Sequence, residues 1–153
     1  MLSIFFRTTD MVYVHAVRKG ESIDIENCLG PAFAFETIKR QRAATGLRRI
    51  KFLHDGAQPH IHSNTRNFIE STAMIEIDHP PYSPDLAPCD FWLFDYIKSH
   101  LGDVHSSEEL VESITAIIKN LPKKQNEETF ERHIQRLELC KTAEGDYFEY
   151  LIK

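Results

Sequence analysis

Apolar residues change their spacing several times along the chain, and each change marks a predicted element. The runs "MLSIFF" and "MVYVHAV" are rich in β-prone residues and flank a short polar stretch, which predicts a hairpin. The runs "RIKFL" and "AMIEI" predict two more short strands. With helical spacing between and after them, the order is β-β-α-β-α-β-α-α-α. Strands interleaved with helices predict an α/β fold with a mixed sheet, whose antiparallel part is the hairpin.

Five helices follow from the 3.6-residue spacing. The first lies within residues 21–46, where Gly30 and Pro31 predict a kink or break and Gly46 an end. Ser106 and Glu109 have the spacing of a capping box at the start of the fourth. The other signals are stripes at Ile61, Thr65, Phe68 and Ile69, at Phe91, Phe94 and Ile97, and at Leu110, Ile114, Ile117, Ile118 and Leu121, and helical composition over residues 125–139.

Size and composition indicate one soluble domain. The 153 residues can form a single core, and 42% hydrophobic with 27% charged residues is typical of globular proteins. No apolar run approaches the roughly 20 residues needed to span a bilayer, and the N-terminal residues lack the features of a signal peptide. Three widely separated cysteines, Cys28, Cys89 and Cys140, favour a reduced, intracellular protein over a disulfide or zinc framework.

The charge is uneven along the chain. The net charge of −5 argues against a uniformly cationic nucleic-acid binder, but residues 103–149 hold 11 acidic and 6 basic residues and account for this excess. A short segment is strongly basic instead. Its six cations could contact a phosphate backbone, or they could form a solvated helix end. They are Lys39, Arg40, Arg42, Arg48, Arg49 and Lys51.

Two aspartates are candidates for metal chemistry. Asp55 follows a predicted buried strand, a position where ligands collect in α/β sheets. Asp90 is the third helical residue if Pro88 is the first, and there the helix dipole favours an ionised carboxylate. Two rigidly held carboxylates suit a hard cation such as Mg²⁺. Either aspartate alone could equally order a turn or a helix start.

The two segments together resemble a known family. "HDGAQPH" and "PPYSPDLAPCDFWLF" are similar to the catalytic domain of mariner-type transposases, whose pattern is roughly HDNARPH followed by PPYSPDLAPCDFFLF. Thirty-four residues separate Asp55 from Asp90, the spacing that defines the mariner subgroup. "MLSIFF", "GESIDIENCL" and "CKTAEGDYFEY" also match family segments in the same order, so the resemblance covers nearly the whole chain.

The resemblance implies an RNase H-like fold and DNA transposition. In this family three carboxylates hold two Mg²⁺ or Mn²⁺ ions for in-line displacement at phosphorus. Asp55 corresponds to the second carboxylate and Asp90 to the third, whereas Asp85 matches a turn position. The implied partners are DNA and a second transposase subunit or homodimer mate, not a membrane or a small-molecule substrate, and the implied location is the nucleus.

The first catalytic aspartate of the family would lie on a strand before "MLSIFF". We therefore expect residues 1–153 to be a partial catalytic domain that lacks this central strand and the DNA-reading helix-turn-helix, and to be inactive alone. Asp10 falls in the hairpin turn and is a poor substitute. The hairpin and "RIKFL" would then each have an unpaired edge. They would pair with each other, bind a partner strand or pack poorly.

The sequence is compatible with three classes of function. The first is a transposase remnant, consistent with Gly56 and Gln58 replacing the Asn and Arg common in the family. The second is a repurposed module that binds DNA or a transposase subunit without cutting. The third is a small zinc hydrolase that would use histidines near Asp55, which the sequence disfavours because they do not converge on one face. Its ligands would be His54, Asp55, His60 and His62.

Overall fold

The computed structural model describes residues 2–8, 11–16, 29–54 and 63–152. Their elements follow the predicted order β-β-α-β-α-β-α-α-α. The contacts divide the chain into two compact units, residues 1–6 with 11–81 and residues 7–10 with 82–153. The elements are β1 (Leu2–Phe6), β2 (Met11–Ala16), α1 (Leu29–Gln41), β3 (Lys51–Leu53), α2 (Ser63–Ser71), β4 (Ile75–Ile77), α3 (Phe94–His100), α4 (Ser107–Lys119) and α5 (Lys123–Thr142).

The predicted hairpin is present in the first unit. β1 and β2 are antiparallel, with Leu2 opposite Ala16 and Phe5 opposite Tyr13, and the register shifts at Phe6. The apolar run on each strand therefore forms a two-stranded ribbon. Asp10, the turn residue considered above, lies outside the described residues.

β3 and β4 form a separate parallel pair in the same unit. Lys51 lies opposite Ile75 and Leu53 opposite Ile77, and α2 lies in the connection between the strands, as a parallel crossover requires. Among the described strands the hairpin and β3 do not pair with each other. The first of the three predicted alternatives, pairing of the hairpin with β3, is therefore not observed among these strands. Pairing with a partner strand and poor packing are the two predicted alternatives that are left.

Aromatic side chains join α1 to β3 and α2, the two elements that follow it in the chain. Phe35 is 2% exposed and meets the ring of Phe52 edge-on at 5.3 Å between centroids. Its other face stacks on Phe68 of α2, at 5.5 Å. With Ala34, Ile38 and Ile69 it forms the core of the first unit, against which Phe5 and Tyr13 of the hairpin also pack.

The proline of α1 does not interrupt that helix. Pro31 is its third residue, where a missing N–H breaks no intrahelical bond. α1 is described from Leu29 and continues through Gly30 and Pro31, and the part of the prediction before Leu29 lies outside the described residues. α1 ends at Gln41, five residues before the predicted end at Gly46, which has φ +54° and lies within the turns of residues 42–49.

The second unit is built on a proline-rich turn followed by helices. Pro84–Leu86 forms a 3₁₀ turn, and Cys89–Leu93 forms a π-helical turn that leads directly into α3. Another 3₁₀ turn, Glu149–Leu151, lies near the C-terminal end. The buried apolar side chains of this unit are Leu86, Ala87, Trp92, Leu93, Ile97, Ile114, Ile118 and Phe148.

The predicted cap of α4 is present, with one difference in detail. The Ser106 hydroxyl oxygen accepts a hydrogen bond from the Glu109 N–H at 3.1 Å. The Glu109 carboxylate accepts from the N–H of His105 at 2.9 Å, one residue before the cap instead of at the cap itself. Ile114 and Ile118 of the predicted stripe are buried.

α5 is longer than its sequence pattern indicates. It begins at Lys123, immediately after Pro122, and continues to Thr142 instead of ending near Leu139. Two pairs, Lys123–Glu127 and Lys124–Glu128, lie one turn apart on its surface and suit its first turns. No helix in the described part of the chain is long and apolar enough to cross a bilayer.

Candidate functional site

Asp90 lies where the sequence predicts it. Pro88 is the first helical residue, with φ −56° and ψ −28°, so Asp90 is the third. The Asp90 N–H donates to the carbonyl oxygen of Ala87 at 2.9 Å, which closes the first turn. Asp90 is exposed, while the neighbouring Trp92 and Leu93 are buried. Asp90 therefore lies, with exposed surface, at an anchored helix start.

The winding of this helix differs from the prediction. The Phe94 N–H donates to the carbonyl oxygen of Cys89, five residues earlier, which defines a π-helical turn. The wider turn changes which residues share a side. Trp92 and Leu93 enter the core with Ile97, whereas Phe94, predicted to lie on the apolar side, is 41% exposed. Trp92 is thus a core residue.

Asp55 lies outside the described residues, but the end of the strand before it is described. His54 follows β3 directly, and its Nε2 lies 2.7 Å from the Glu76 carboxylate on β4. The His54 side chain is only 13% exposed, and its ring contacts Phe52 at 5.5 Å. A cross-strand contact thus fixes the residue that precedes Asp55.

The described residues provide no cluster of ligands for the zinc hydrolase considered in the sequence analysis. His54 is occupied with Glu76, and His60 and His62 fall in the range 55–62 that the structure does not describe. Within the described ranges, no group of three His, Cys, Asp or Glu side chains is close enough to bind a metal ion. Asp85 lies in the 3₁₀ turn, in agreement with its interpretation as a turn residue.

The six predicted DNA-contacting cations all belong to the first unit. They follow one another through the last turn of α1, the turns after it and the first residue of β3. Five of the side chains are exposed and Arg42 is half-buried. The only ion pair that the described residues provide for this group joins Lys39 to Glu36 at 3.4 Å. We call Lys39, Arg40, Arg42, Arg48, Arg49 and Lys51 the basic turn.

The shape of the basic turn depends on two residues in the left-handed conformation. Gly46 has φ +54° and Arg49 has φ +62°. The first is ordinary for glycine, whereas a long side chain rarely adopts such a φ. The turn therefore carries a small strain at one of its cations.

Two residues that the sequence did not indicate contact the segments next to the two candidate aspartates, one residue in each unit. Glu76 bonds to His54, as described. Arg136 of α5 donates from Nη1 to the carbonyl oxygen of Asp85 at 2.9 Å and to the Glu149 carboxylate at 2.8 Å. Its guanidinium also lies 4.5 Å from the ring centre of Phe91. Neither residue has a local sequence signal, because both partners come from distant segments.

The fold matches that of a known catalytic domain. The crystal structure of the catalytic domain of Mos1 mariner transposase matches with a TM-score of 0.86 over 96% of this chain and 74% of that chain, at 22% identity. A structure of that domain with raltegravir and Mg gives 0.86 over 96% and 76%, also at 22%. The Mos1 paired-end complex with the left transposon end gives 0.85 over 96% and 44%, at 23%. The predicted α/β class is thus confirmed, although the described strands form two small sheets instead of one mixed sheet.

Sequence comparison agrees. The chain is 26% identical over 156 residues to the Mariner Mos1 transposase of Drosophila mauritiana, covering 97% of this chain and 45% of that protein. It is 23% identical over 154 residues to the histone-lysine N-methyltransferase SETMAR of Homo sapiens, covering 97% and 22%. No family model matches. The chain is a homologue of mariner transposase and spans less than half the length of these two relatives.

Proposed function

We propose that this chain is part of a mariner-type transposase that cuts and joins DNA with divalent metal ions. Asp55 and Asp90 are the second and third of three metal-binding carboxylates. The observation that carries the proposal is the setting of Asp90, an exposed carboxylate at the third position of a helix that begins at Pro88. Homology to a mariner transposase over 97% of the chain supports it.

The donor chemistry fits Mg²⁺ or Mn²⁺. Both ions prefer carboxylate oxygens and water, and Asp90 offers an exposed carboxylate beside the positive end of a helix. Structures of the Mos1 catalytic domain with Mg and with Mn support the same choice. When bound, such ions activate the attacking oxygen and stabilise the leaving oxygen at phosphorus. Asp55 and Asp90 would hold them.

The 153-residue polypeptide by itself has two of the three carboxylates. With two negative charges where the family has three, it should bind metal weakly and leave DNA uncut. Gly56 and Gln58 reduce the site further, because an amide and a cation common in the family are missing beside Asp55. Cutting would need the first carboxylate from a segment outside these residues.

The basic turn is the proposed contact to DNA. Its cations are mostly exposed, and phosphate contacts by Lys and Arg provide the sequence-independent part of DNA affinity. Complexes of Mos1 with transposon ends support a DNA partner, and the paired-end form supports a second transposase subunit. A nuclear location follows from the proposed DNA substrate.

A second candidate function uses the same surface without chemistry. A homologue with a basic turn could bind DNA, or join an intact transposase subunit, without cutting DNA, and so block transposition. The exposure of the cations in the basic turn favours this module, since DNA contact requires no metal ion. The first function requires Asp55 and Asp90 to bind metal ions, whereas the second does not.

Metal binding tests the first function. Mn²⁺ titrations of the polypeptide and of its Asp55→Asn, Asp90→Asn and Asp95→Asn variants would be followed by NMR line broadening. Asp95 is an exposed carboxylate in the first turn of α3, five residues after Asp90, and it pairs with Lys98, so Asp95→Asn serves as the control. We expect broadening near Asp90 that either of the first two substitutions weakens. Broadening unchanged by both would reject the metal site.

DNA binding tests the second candidate function. A gel shift on linear DNA at several salt concentrations would compare the chain with an Arg48→Gln, Arg49→Gln, Lys51→Gln variant. The log–log salt slope should decrease by about 0.9 for each phosphate contact that is removed. Lys123→Gln with Lys124→Gln removes two exposed cations from α5 and is the control. Equal effects of the two variants would contradict a role for the basic turn.

A further inference from the structure

Arg136 connects three segments of the second unit. Its Nη1 donates to the carbonyl oxygen of Asp85 in the first 3₁₀ turn and to the carboxylate of Glu149 in the second. Its guanidinium also lies over the ring of Phe91 in the π-helical turn, 4.5 Å from the centroid. A single side chain of α5 therefore contacts the proline-rich turn, the helix start that carries Asp90 and the C-terminal segment.

The setting makes these contacts stronger than surface contacts. The Arg136 side chain is only 15% exposed, and the carboxylate of its partner Glu149 keeps 36% exposure. Hydrogen bonds and cation–π contacts of a partly dehydrated guanidinium are stronger than those of an exposed one. The planar guanidinium of Arg136 also donates hydrogen bonds from its edge while its face covers the Phe91 ring. A lysine ammonium is not planar and cannot make both kinds of contact in this way.

The contact with Phe91 bears directly on Asp90. Trp92 and Leu93 fix one side of the π-helical turn in the core, but a helix held along one side can still rotate slightly about its axis. Phe91 is half-buried and adjacent to Asp90 in the chain. A guanidinium packed on its ring, itself bonded to two other segments, fixes the turn at a second point.

We propose that Arg136 is a positioning residue for Asp90, and that Glu149 holds Arg136 in place. The proposal rests on the proposed function, because it takes Asp90 as a metal ligand. It makes the C-terminal segment part of the support of the metal site. Arg136 does not touch the metal or the DNA and acts only through Phe91 and the turn at Asp85.

The test is a Mn²⁺ titration of the full 153-residue chain, followed by broadening of the Asp90 amide signal. Arg136→Met removes the charge and the planar face while keeping the length, and should weaken Mn²⁺ binding at Asp90 about tenfold, as loss of a support behind a metal ligand does. Arg136→Lys keeps the charge but not the planar face and should remain impaired. Glu149→Gln should give a smaller loss.

Arg132→Met is the matched control, since Arg132 is exposed on the same helix one turn earlier. It should leave the affinity unchanged. The titrations are made at a temperature at which urea unfolding curves show that every variant is folded in the absence of urea. The NMR signals of the Phe91 ring should shift only in the Arg136 and Glu149 variants. A purely structural role would lower stability without changing Mn²⁺ affinity in the folded state.

Three results would overturn the proposal. Equal Mn²⁺ affinity of Arg136→Met and Arg132→Met would show that the contact does not position Asp90. Full recovery in Arg136→Lys would show that charge alone suffices, without the ring contact. Absence of broadening at Asp90 in the unsubstituted chain would reject the metal site and hence the proposed function itself, which separates that failure from the first two.

Discussion

Removing the Phe148 side chain tests whether the C-terminal segment belongs to the second unit. Phe148 is 1% exposed and is among the largest fully buried side chains of the described residues. Burying a phenylalanine removes roughly 150–250 Å² from water, and alanine keeps only a small part of it. Full burial of a phenylalanine side chain contributes about 1.5–3 kcal/mol of transfer free energy. The cavity left behind raises the expected cost of Phe148→Ala to about 3–5 kcal/mol.

Urea unfolding followed by fluorescence measures this cost. The single tryptophan, Trp92, is 7% exposed and lies in the same unit, so its emission reports the unfolding of that unit. Tyr150→Ala is the control, because Tyr150 lies two residues further on and is 71% exposed. In a thermal scan each kcal/mol should lower the melting temperature by about 2–4 °C for a chain of this size.

The reasoning would be refuted by a loss below about 1 kcal/mol for Phe148→Ala, the level expected of an ordinary substitution. It would also fail if the two variants lost equal stability. A changed slope of free energy against urea would indicate instead that the substitution altered the compactness of one of the two states.

Three smaller substitutions test local features. Gly46→Ala should lower the free energy of unfolding, measured in urea, by about 1–2 kcal/mol, because a residue with a Cβ is disfavoured at φ +54°. Gly102→Ala is the control and should be nearly neutral, since a Cβ at either glycine would meet nothing within 4 Å. Arg49→Gly should relieve the left-handed strain and raise stability by up to about 1 kcal/mol while lowering DNA affinity in a gel shift; lower stability would contradict the strain. Ser106→Ala should cost about 1 kcal/mol, and no loss of helicity or stability would contradict the cap.

Local sequence signals located the elements well where the responsible groups are neighbours in the chain. The cap at Ser106, the helix start at Pro88 and the hairpin each depend on residues within a few positions, and each is present. The interpretation of Gly30–Pro31 as a break was only partly right. A proline tolerated in a first turn gives the same sequence signal as one that ends a helix.

The π-helical turn shows where the spacing rule fails. The 3.6-residue period predicted that Phe91, Phe94 and Ile97 would share a side, but the bond from Phe94 to Cys89 widens one turn and exposes Phe94. Burying Trp92 and Leu93 together in the core is the compensating gain. Packing of this kind depends on the neighbouring helices, which no local pattern specifies.

The sequence by itself determined the order of the elements, the resemblance to mariner transposases and the placement of Asp90 at a helix start. These depend on residue types at fixed spacings, so they can be read along the chain. Only the tertiary structure decided the contacts of Arg136 with Asp85, Phe91 and Glu149, because those partners lie up to 51 positions away and meet only when the chain folds. Side chains from distant segments come together through burial of the core, and that is a property of the whole unit.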